Sequence, residues 1–429
     1  MHYKRIFNSI LSKISDLLSS DAFLESYRMP KRFVRKRLLS MRHVVFYLLH
    51  TIKQNMDKNI ERMIDLGDKL DFPRISKQAL SKARQGIDPG LFAELFNVSV
   101  NTFYENADPH LLKWHDKFHV FAIDGTKTQL PCSDSNYKFF GEMHSKDNPD
   151  RRWSMALGSI IYDVSNDYIC HGLINPYLSS ERSCAKEHCL ELIRMNIFHH
   201  DAIVVFDRGY YSENMFRFLS DHGINCVMRL KEGFSISKKC NGDSVSVLPG
   251  SELDNTDDIR IRVVSVQLDS GITEYLGTNI FDDTLSSQDF KDLYWERWNI
   301  EKKYFELKHQ HLLEEFSGAT AISVQQEFYI NLLYSNIDSL AKAHADKKIE
   351  EHQKETNKHK YQANRAYIIG RVKEIFVKTI LHIYGPEKID DLFKYAWTHK
   401  SQKQPDRKGK PRKKKRDRTH FNNRKLATS

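Results

Sequence analysis

Apolar positions in the first hundred residues recur every three or four, the spacing of helices that each bury one face. Met29-Pro30 and Phe72-Pro73 punctuate the stretch. Ser76 stands where an N-cap belongs, ahead of a helix carrying Lys77, Lys82 and Arg84, and Ile87-Asp88-Pro89-Gly90 marks that helix's end. A second helix beginning near Pro89 completes a helical hairpin, a shape that serves DNA binding and, as often, ordinary helix packing.

The pattern changes at Phe118. Apolar runs at 119–123, 153–162, 168–174, 202–206 and 225–230 predict five strands, with a turn at Asn166-Asp167. The run from Ala202 to Phe206 is apolar throughout, as in a strand covered on both faces. Between Ser235 and Asp283 polar and apolar residues alternate, with turn residues at Asn241-Gly242, Pro249-Gly250 and Ser270-Gly271, which predicts a small antiparallel insertion. One helix is predicted from about Ser287 through Glu301 and Lys308, and an amphipathic helix over 323–345. Beyond Ser401 there is almost nothing apolar to offset the entropy of ordering, so a disordered basic tail is expected.

Charge sharpens this outline because it is uneven. The chain of 429 residues carries +10 overall, yet the last thirty residues hold 13 Lys or Arg against 2 Asp, and the first 59 hold 12 against 4. Two basic ends flank an acidic middle. Such flanks are electrostatic footprints for a polyanion, of which nucleic acid is the commonest. The longest early apolar run, Val44–Leu49, is far short of the ~20 residues a bilayer requires. No secretory leader is legible, so a soluble, cytoplasmic protein with reduced thiols and no membrane partner is expected. Cys184, His188 and Cys189 invite a zinc reading, but no CxxC and no second ligand pair accompany them.

Three carboxylates stand where chemistry would place them. Asp124 follows an apolar strand and precedes Gly125-Thr126; Asp207 repeats the arrangement after Val204-Val205-Phe206. Either aspartate alone reads more often as a turn or cap residue than as a ligand. The third is Glu301. At about 100° per residue, Tyr294, Arg297, Glu301 and Lys308 fall at roughly 0°, 300°, 340° and 320° on one helix face. That narrow face holds a phenol, two cations and a carboxylate, where an apolar stripe is usual; a solvated salt-bridged face is the plain alternative.

At these residues the chain resembles the insertion-sequence DDE transposases of the IS-four type, defined by a Tyr-x2-Arg-x3-Glu-x6-Lys helix. Tyr294, Arg297, Glu301 and Lys308 match that spacing, joined by Ile123-Asp124-Gly125-Thr126 and Phe206-Asp207-Arg208-Gly209-Tyr210-Tyr211-Ser212. The resemblance covers about 118–340, and 76–96 more loosely. It implies an α/β fold: a ribonuclease-H-like catalytic core with a β-rich insertion and an α-helical amino-terminal DNA-binding domain. The boundaries expected are 1–110 for that helical domain, 111–346 for the catalytic domain with its insertion near 235–283, 347–399 for a helical region, and 400–429 for the tail.

The resemblance also implies a chemistry. Asp124, Asp207 and Glu301 would hold two Mg²⁺ or Mn²⁺ ions for cleavage and strand transfer of DNA during cut-and-paste transposition. Tyr294, Arg297 and Lys308 would contact phosphates near the scissile bond. Trp298, at about 40° on the same helix, is the candidate clamp for a flipped base on a hairpin end, with a core tryptophan as its alternative. Arg35, Lys36, Arg37, Lys77 and Arg84 are the candidates for recognising terminal inverted repeats in double-stranded DNA. A homodimer is expected, because two ends must be held together, in a bacterial cytoplasm beside the nucleoid. A nuclease that cuts without joining, and an inactive DNA-binding relative, are the other readings.

Overall fold

The computed structural model describes residues 2–35, 38–50, 53, 55–107, 111–145, 148, 150, 152–250, 257–268, 271–354 and 356–403. Lys36, Arg37, Ser270 and the chain beyond Lys403 lie outside the described residues.

The chain opens with α1 (His2–Ser19), α2 (Asp21–Ser26), α3 (Met41–His50), α4 (Met56–Ile64), α5 (Lys77–Arg84) and α6 (Gly90–Ala107). Helix α1 buries Ile6, Phe7, Ile10, Leu11, Ile14 and Leu18, the three-and-four spacing that makes one apolar face. Ser76 caps α5 by accepting the amide of Ala79 at 3.2 Å.

The middle of the chain builds a nine-stranded sheet. Its elements run β1 (His119–Leu130), α7 (Asp134–Phe140), β2 (Met143–His144), β3 (Arg152–Asp163), β4 (Tyr168–Pro176), α8 (Glu181–Arg194), β5 (Ala202–Phe206), α9 (Glu213–Asp221) and β6 (Asn225–Leu230). After them come α10 (Ser235–Lys238), β7 (Asp243–Leu248), β8 (Ile259–Gln267) and β9 (Thr273–Thr278). The strand order is β2-β3-β1-β5-β6-β9-β8-β7, with β4 also along β3. Strands β1, β5 and β6 are parallel; β3 and β4 are antiparallel to their neighbours. Every residue of β5 is buried, as its unbroken apolar run requires at the centre of a covered sheet.

Two expectations change here. The alternating segment after Ser235 does form antiparallel strands, but they continue the main sheet through the β6–β9 pairing. Open ladder groups on β6 are satisfied by this continuation. Asp124 also lies inside β1, which runs on to Leu130, because Gly125–Leu130 keep pairing with Ser154–Ser159 of β3.

The remaining elements are α11 (Ser287–Glu296), α12 (Trp298–His309), α13 (Ala321–His352), β10 (Tyr361–Ala363), α14 (Arg365–Ile380), α15 (Glu387–Tyr395) and β11 (Lys400–Gln402). Helix α13 passes the boundary expected at 346. It is buried nearly all round over its first 25 residues, not on one stripe, because α1, α6, α14 and β4 all pack against it. One continuous apolar core accordingly joins Ile6 of α1 to Phe393 of α15. Among the described residues, no helix is long and apolar enough to cross a membrane.

Candidate active site

The sheet brings the two aspartates side by side. Parallel pairing sets Ala122 of β1 opposite Val205 of β5, so Asp124 and Asp207 each fall two residues farther along adjacent strands. The Asp124 carboxylate leans forward along its strand and accepts the amide of Gly125 at 2.9 Å. Burial pushes its pKa up to about 7; the Gly125 amide and Arg297 oppose that rise, and Glu181 and Glu301 add to it. Each is the expected sign for a desolvated carboxylate among like charges.

The helix that carries the third carboxylate is jointed. A single helix was expected from Ser287 to Lys308, whereas α11 and α12 meet at Arg297, where bonds of the tighter i to i+3 kind take over. These link the Arg297 amide to the Tyr294 carbonyl (3.2 Å) and the Ile300 amide to the Arg297 carbonyl (3.1 Å). At this joint Arg297 turns inward and is 5% exposed. Its Nη2 lies 3.3 Å from a Glu301 oxygen. Burial works against the charge, but Tyr294, Asp207, Glu301 and Asp124 outweigh it and leave the pKa raised. One guanidinium therefore feels all three expected carboxylates, and its Nε makes no hydrogen bond.

The other residues of the helix motif surround this ion cluster. The Tyr294 hydroxyl faces an Asp207 oxygen at 3.4 Å, and burial first, then Asp207, lifts its pKa to about 12 against the pull of Arg297. Lys308 is turned back on the protein: it donates to the Lys127 carbonyl at 2.7 Å and pairs with Glu314 at 3.1 Å. Trp298 is 42% exposed and Trp295 67%, with ring centroids 6.2 Å apart, so neither is a core tryptophan. Arg297 lies 5.0 Å from the Trp298 ring centre, within cation–π reach.

The amino-terminal candidates separate. Arg35 is exposed, and Lys77 is a surface residue paired with Asp57 at 2.8 Å. Arg84 does not face solvent. It is 4% exposed and donates to Gln326, Ser317, the Ser323 carbonyl and Glu327. Glu327 would otherwise be a buried charge with only Lys53 beside it, so Arg84 joins α5 to α13.

His188 hydrogen bonds to His171 at 2.9 Å and to Ser159 at 2.9 Å, while Cys184 and Cys189 are buried in the packing of α8. Among the described residues no group of three or more His, Cys, Asp or Glu side chains is drawn together closely enough to hold a metal ion. That includes the three carboxylates, which stand around Arg297. Their chemistry nevertheless suits a hard divalent cation, since every donor is a carboxylate oxygen and the buried member is short of positive charge.

Three residues of the site had no role in the sequence reading. Tyr304, one turn beyond Glu301, donates to the Asp124 carbonyl at 2.7 Å. Glu181 and Arg182 open α8, and only the sheet order brings that helix end to Asp124 and Asp207. The Glu301–Tyr304 spacing of three was visible on one helix; the position of Glu181 left no local signal.

Neighbouring parallel strands that place one aspartate within β1 and another just past the end of β5, beside a helix glutamate, make an acidic arrangement of the kind that suits metal-assisted phosphodiester chemistry. A family model described as a transposase DDE domain matches residues 116–337, just over half of the chain. The chain belongs to that family, and is a transposase of the DDE kind. No curated protein matches the sequence. Among solved structures, the cryo-EM structure of the piggyBac transposase synaptic complex with hairpin DNA is similar. The TM-score is 0.46 with 10% sequence identity, covering 91% of this chain and 84% of that one.

Proposed function

We propose that this protein is a cut-and-paste DNA transposase of an insertion sequence, of the IS-four type, built on a ribonuclease-H-like core. The observation that carries the reading is the placing of Asp124 and Asp207 along adjacent parallel strands, with Arg297 paired to Glu301 at 3.3 Å beside them. Family membership supplies the reaction class; the Tyr294, Arg297, Glu301, Lys308 spacing supplies the type.

In this reading Asp124, Asp207 and Glu301 hold Mg²⁺ or Mn²⁺, two ions per site, which supply Lewis acidity to the phosphoryl oxygens and activate water. The chain's own groups position the DNA. Arg297, Tyr294 and Lys308 meet phosphates beside the scissile bond, exchanging the internal partners they hold now for the strand. Water attacks at a transposon end, and the 3′ hydroxyl so released is the nucleophile of the next step. The exposed ring of Trp298 stacks on a base flipped out at a hairpin end.

Arg35, Lys36, Arg37 and Lys77, from the amino-terminal part of the chain, recognise the terminal inverted repeats, and the tail from Lys400 adds salt-sensitive affinity. Arg84 serves the fold instead. Two copies of the chain hold two ends. The test is cleavage and joining of a duplex bearing the element's end, comparing wild type with Asp124→Ala, Asp207→Ala and Glu301→Ala. Loss of both reactions with end binding intact supports the triad. Wild-type protein that cuts without joining would make it a nuclease, and binding without cutting a DNA-binding relative.

A further inference from the structure

Helix α8 begins with a carboxylate placed against β1. Glu181 follows the capping residue Ser180, and its Oε1 lies over Gly125, so close that a Cβ there would stand 3.1 Å from it. The residue after Asp124 is thus one whose lack of a side chain leaves room for Glu181. The charge of Glu181 bears on Asp124 more strongly than that of Glu301 does. The next residue, Arg182, donates to the carbonyls of Gly209 (3.0 Å) and Tyr211 (3.1 Å), in the loop behind Asp207. One helix end is tied to the surroundings of both aspartates.

Between those two carbonyls sits Tyr210, 2% exposed, whose hydroxyl makes no hydrogen bond. The charges that bear on it are those of Asp124 and then Glu181. A buried hydroxyl left without a partner is unfavourable, so a role is needed for a donor kept under the charge of two carboxylates.

We propose that Glu181 is a fourth acidic group of the active centre, binding a divalent cation together with Asp124, with the unpartnered Tyr210 hydroxyl as a donor available to that pair. The inference rests on the reading of Asp124 as a metal ligand. It gives the centre an acidic residue from α8, a different helix from the one that carries Glu301 and one already fixed by Arg182.

The test counts bound Mn²⁺ by loss of the free-ion electron paramagnetic resonance signal, on the full chain without DNA. Wild type, Asp124→Asn, Glu181→Gln, Tyr210→Phe and Glu187→Gln are compared, the last an exposed carboxylate on the same helix that controls for net charge. Glu181→Gln is expected to weaken Mn²⁺ binding by at least the ~10-fold that loss of an outer-sphere partner costs. Glu187→Gln should leave it unchanged, and thermal unfolding in EDTA should show Glu181→Gln as stable as wild type. If Asp124→Asn loses the ion while Glu181→Gln keeps wild-type affinity, the fourth carboxylate is overturned and the site reading stands. If wild type binds no Mn²⁺, the reading of Asp124 itself falls. Tyr210→Phe should weaken binding severalfold, and wild-type affinity would remove the hydroxyl from the proposal.

Discussion

The hydroxyl of Tyr304 occupies a rung of the β1–β3 ladder, donating to the Asp124 carbonyl at 2.7 Å. It accepts the amide of Ile160, the residue opposite Asp124, at 3.1 Å. A side chain from α12 thus stands between two backbone groups that would otherwise bond each other, and sets where Asp124 sits relative to Glu301. Tyr304→Phe should let the rung close or leave the Ile160 amide unpaired, with the Asp124 carbonyl keeping only the Ser159 hydroxyl, and should move Asp124 either way. The expected loss in end cleavage is about 100-fold, the cost of a small misplacement at a reacting centre. The stability cost should stay near 1–3 kcal/mol. Single-turnover cleavage and urea unfolding measure the two, and unchanged cleavage would show that the rung does not position Asp124.

Arg297 supplies positive charge to three carboxylates. Arg297→Gln removes a buried cation from three half-buried carboxylates, so stability without metal should fall by about 1–3 kcal/mol. Added MgCl₂ should then raise the melting temperature more than it does for wild type, because the uncompensated carboxylates gain more from a cation. An equal or smaller Mg²⁺ shift in the variant would argue against convergence of these groups.

Trp298 presents its ring to solvent, and Trp298→Ala should change stability by no more than about 0.5 kcal/mol. Affinity for an end carrying an unpaired base should fall by about 1–3 kcal/mol, the worth of one stacked base. Fluorescence-monitored unfolding and titration with paired and unpaired ends separate the effects. A loss confined to stability would return Trp298 to a structural role.

Glu327 gives the fold an acid limit. Burial raises its pKa, but Lys53 and Arg84, with Ser317, overcome this and hold it at about 2, below its ordinary 4.5. A depressed carboxylate stabilises the folded state above its unfolded pKa and loses that contribution as pH falls. The window here is from about 4.5 down to about 2. The contribution at neutral pH is of order 3 kcal/mol. Urea unfolding of wild type across this window should show it, and Glu327→Gln should flatten the slope while lowering stability at neutral pH.

Much of this was legible in the chain because its signals are local. The apolar run at 202–206 is β5 without adjustment, and Ser76 caps α5 as its position suggested. Of the residues picked out by the spacing of Tyr294, Arg297, Glu301 and Lys308, Arg297 pairs with Glu301 and Tyr294 faces Asp207, while Lys308 turns to Lys127 and Glu314, and the joint at Arg297 is invisible to a uniform helical wheel. Arg84 was misjudged for a different reason. A basic residue on a predicted surface helix looks like a DNA contact until its acidic partner, 243 residues away, is known. Glu181 was missed likewise, since only the order of strands brings α8 to Asp124.

The apolar core that runs unbroken from α1 to α15 has a consequence for cooperativity. Helix α13 is the common wall of the amino-terminal helices and the sheet, and Arg84 and Lys53 reach it through one carboxylate. The amino-terminal helices and the sheet therefore do not come apart as beads on a string. Chemical denaturation should give coincident transitions by tryptophan fluorescence and circular dichroism, and removing residues 1–110 should leave a fragment that aggregates. Under the proposed function, strain placed on the first helices by a bound DNA end would be felt along α13, making that helix a rigid lever between grip and blade.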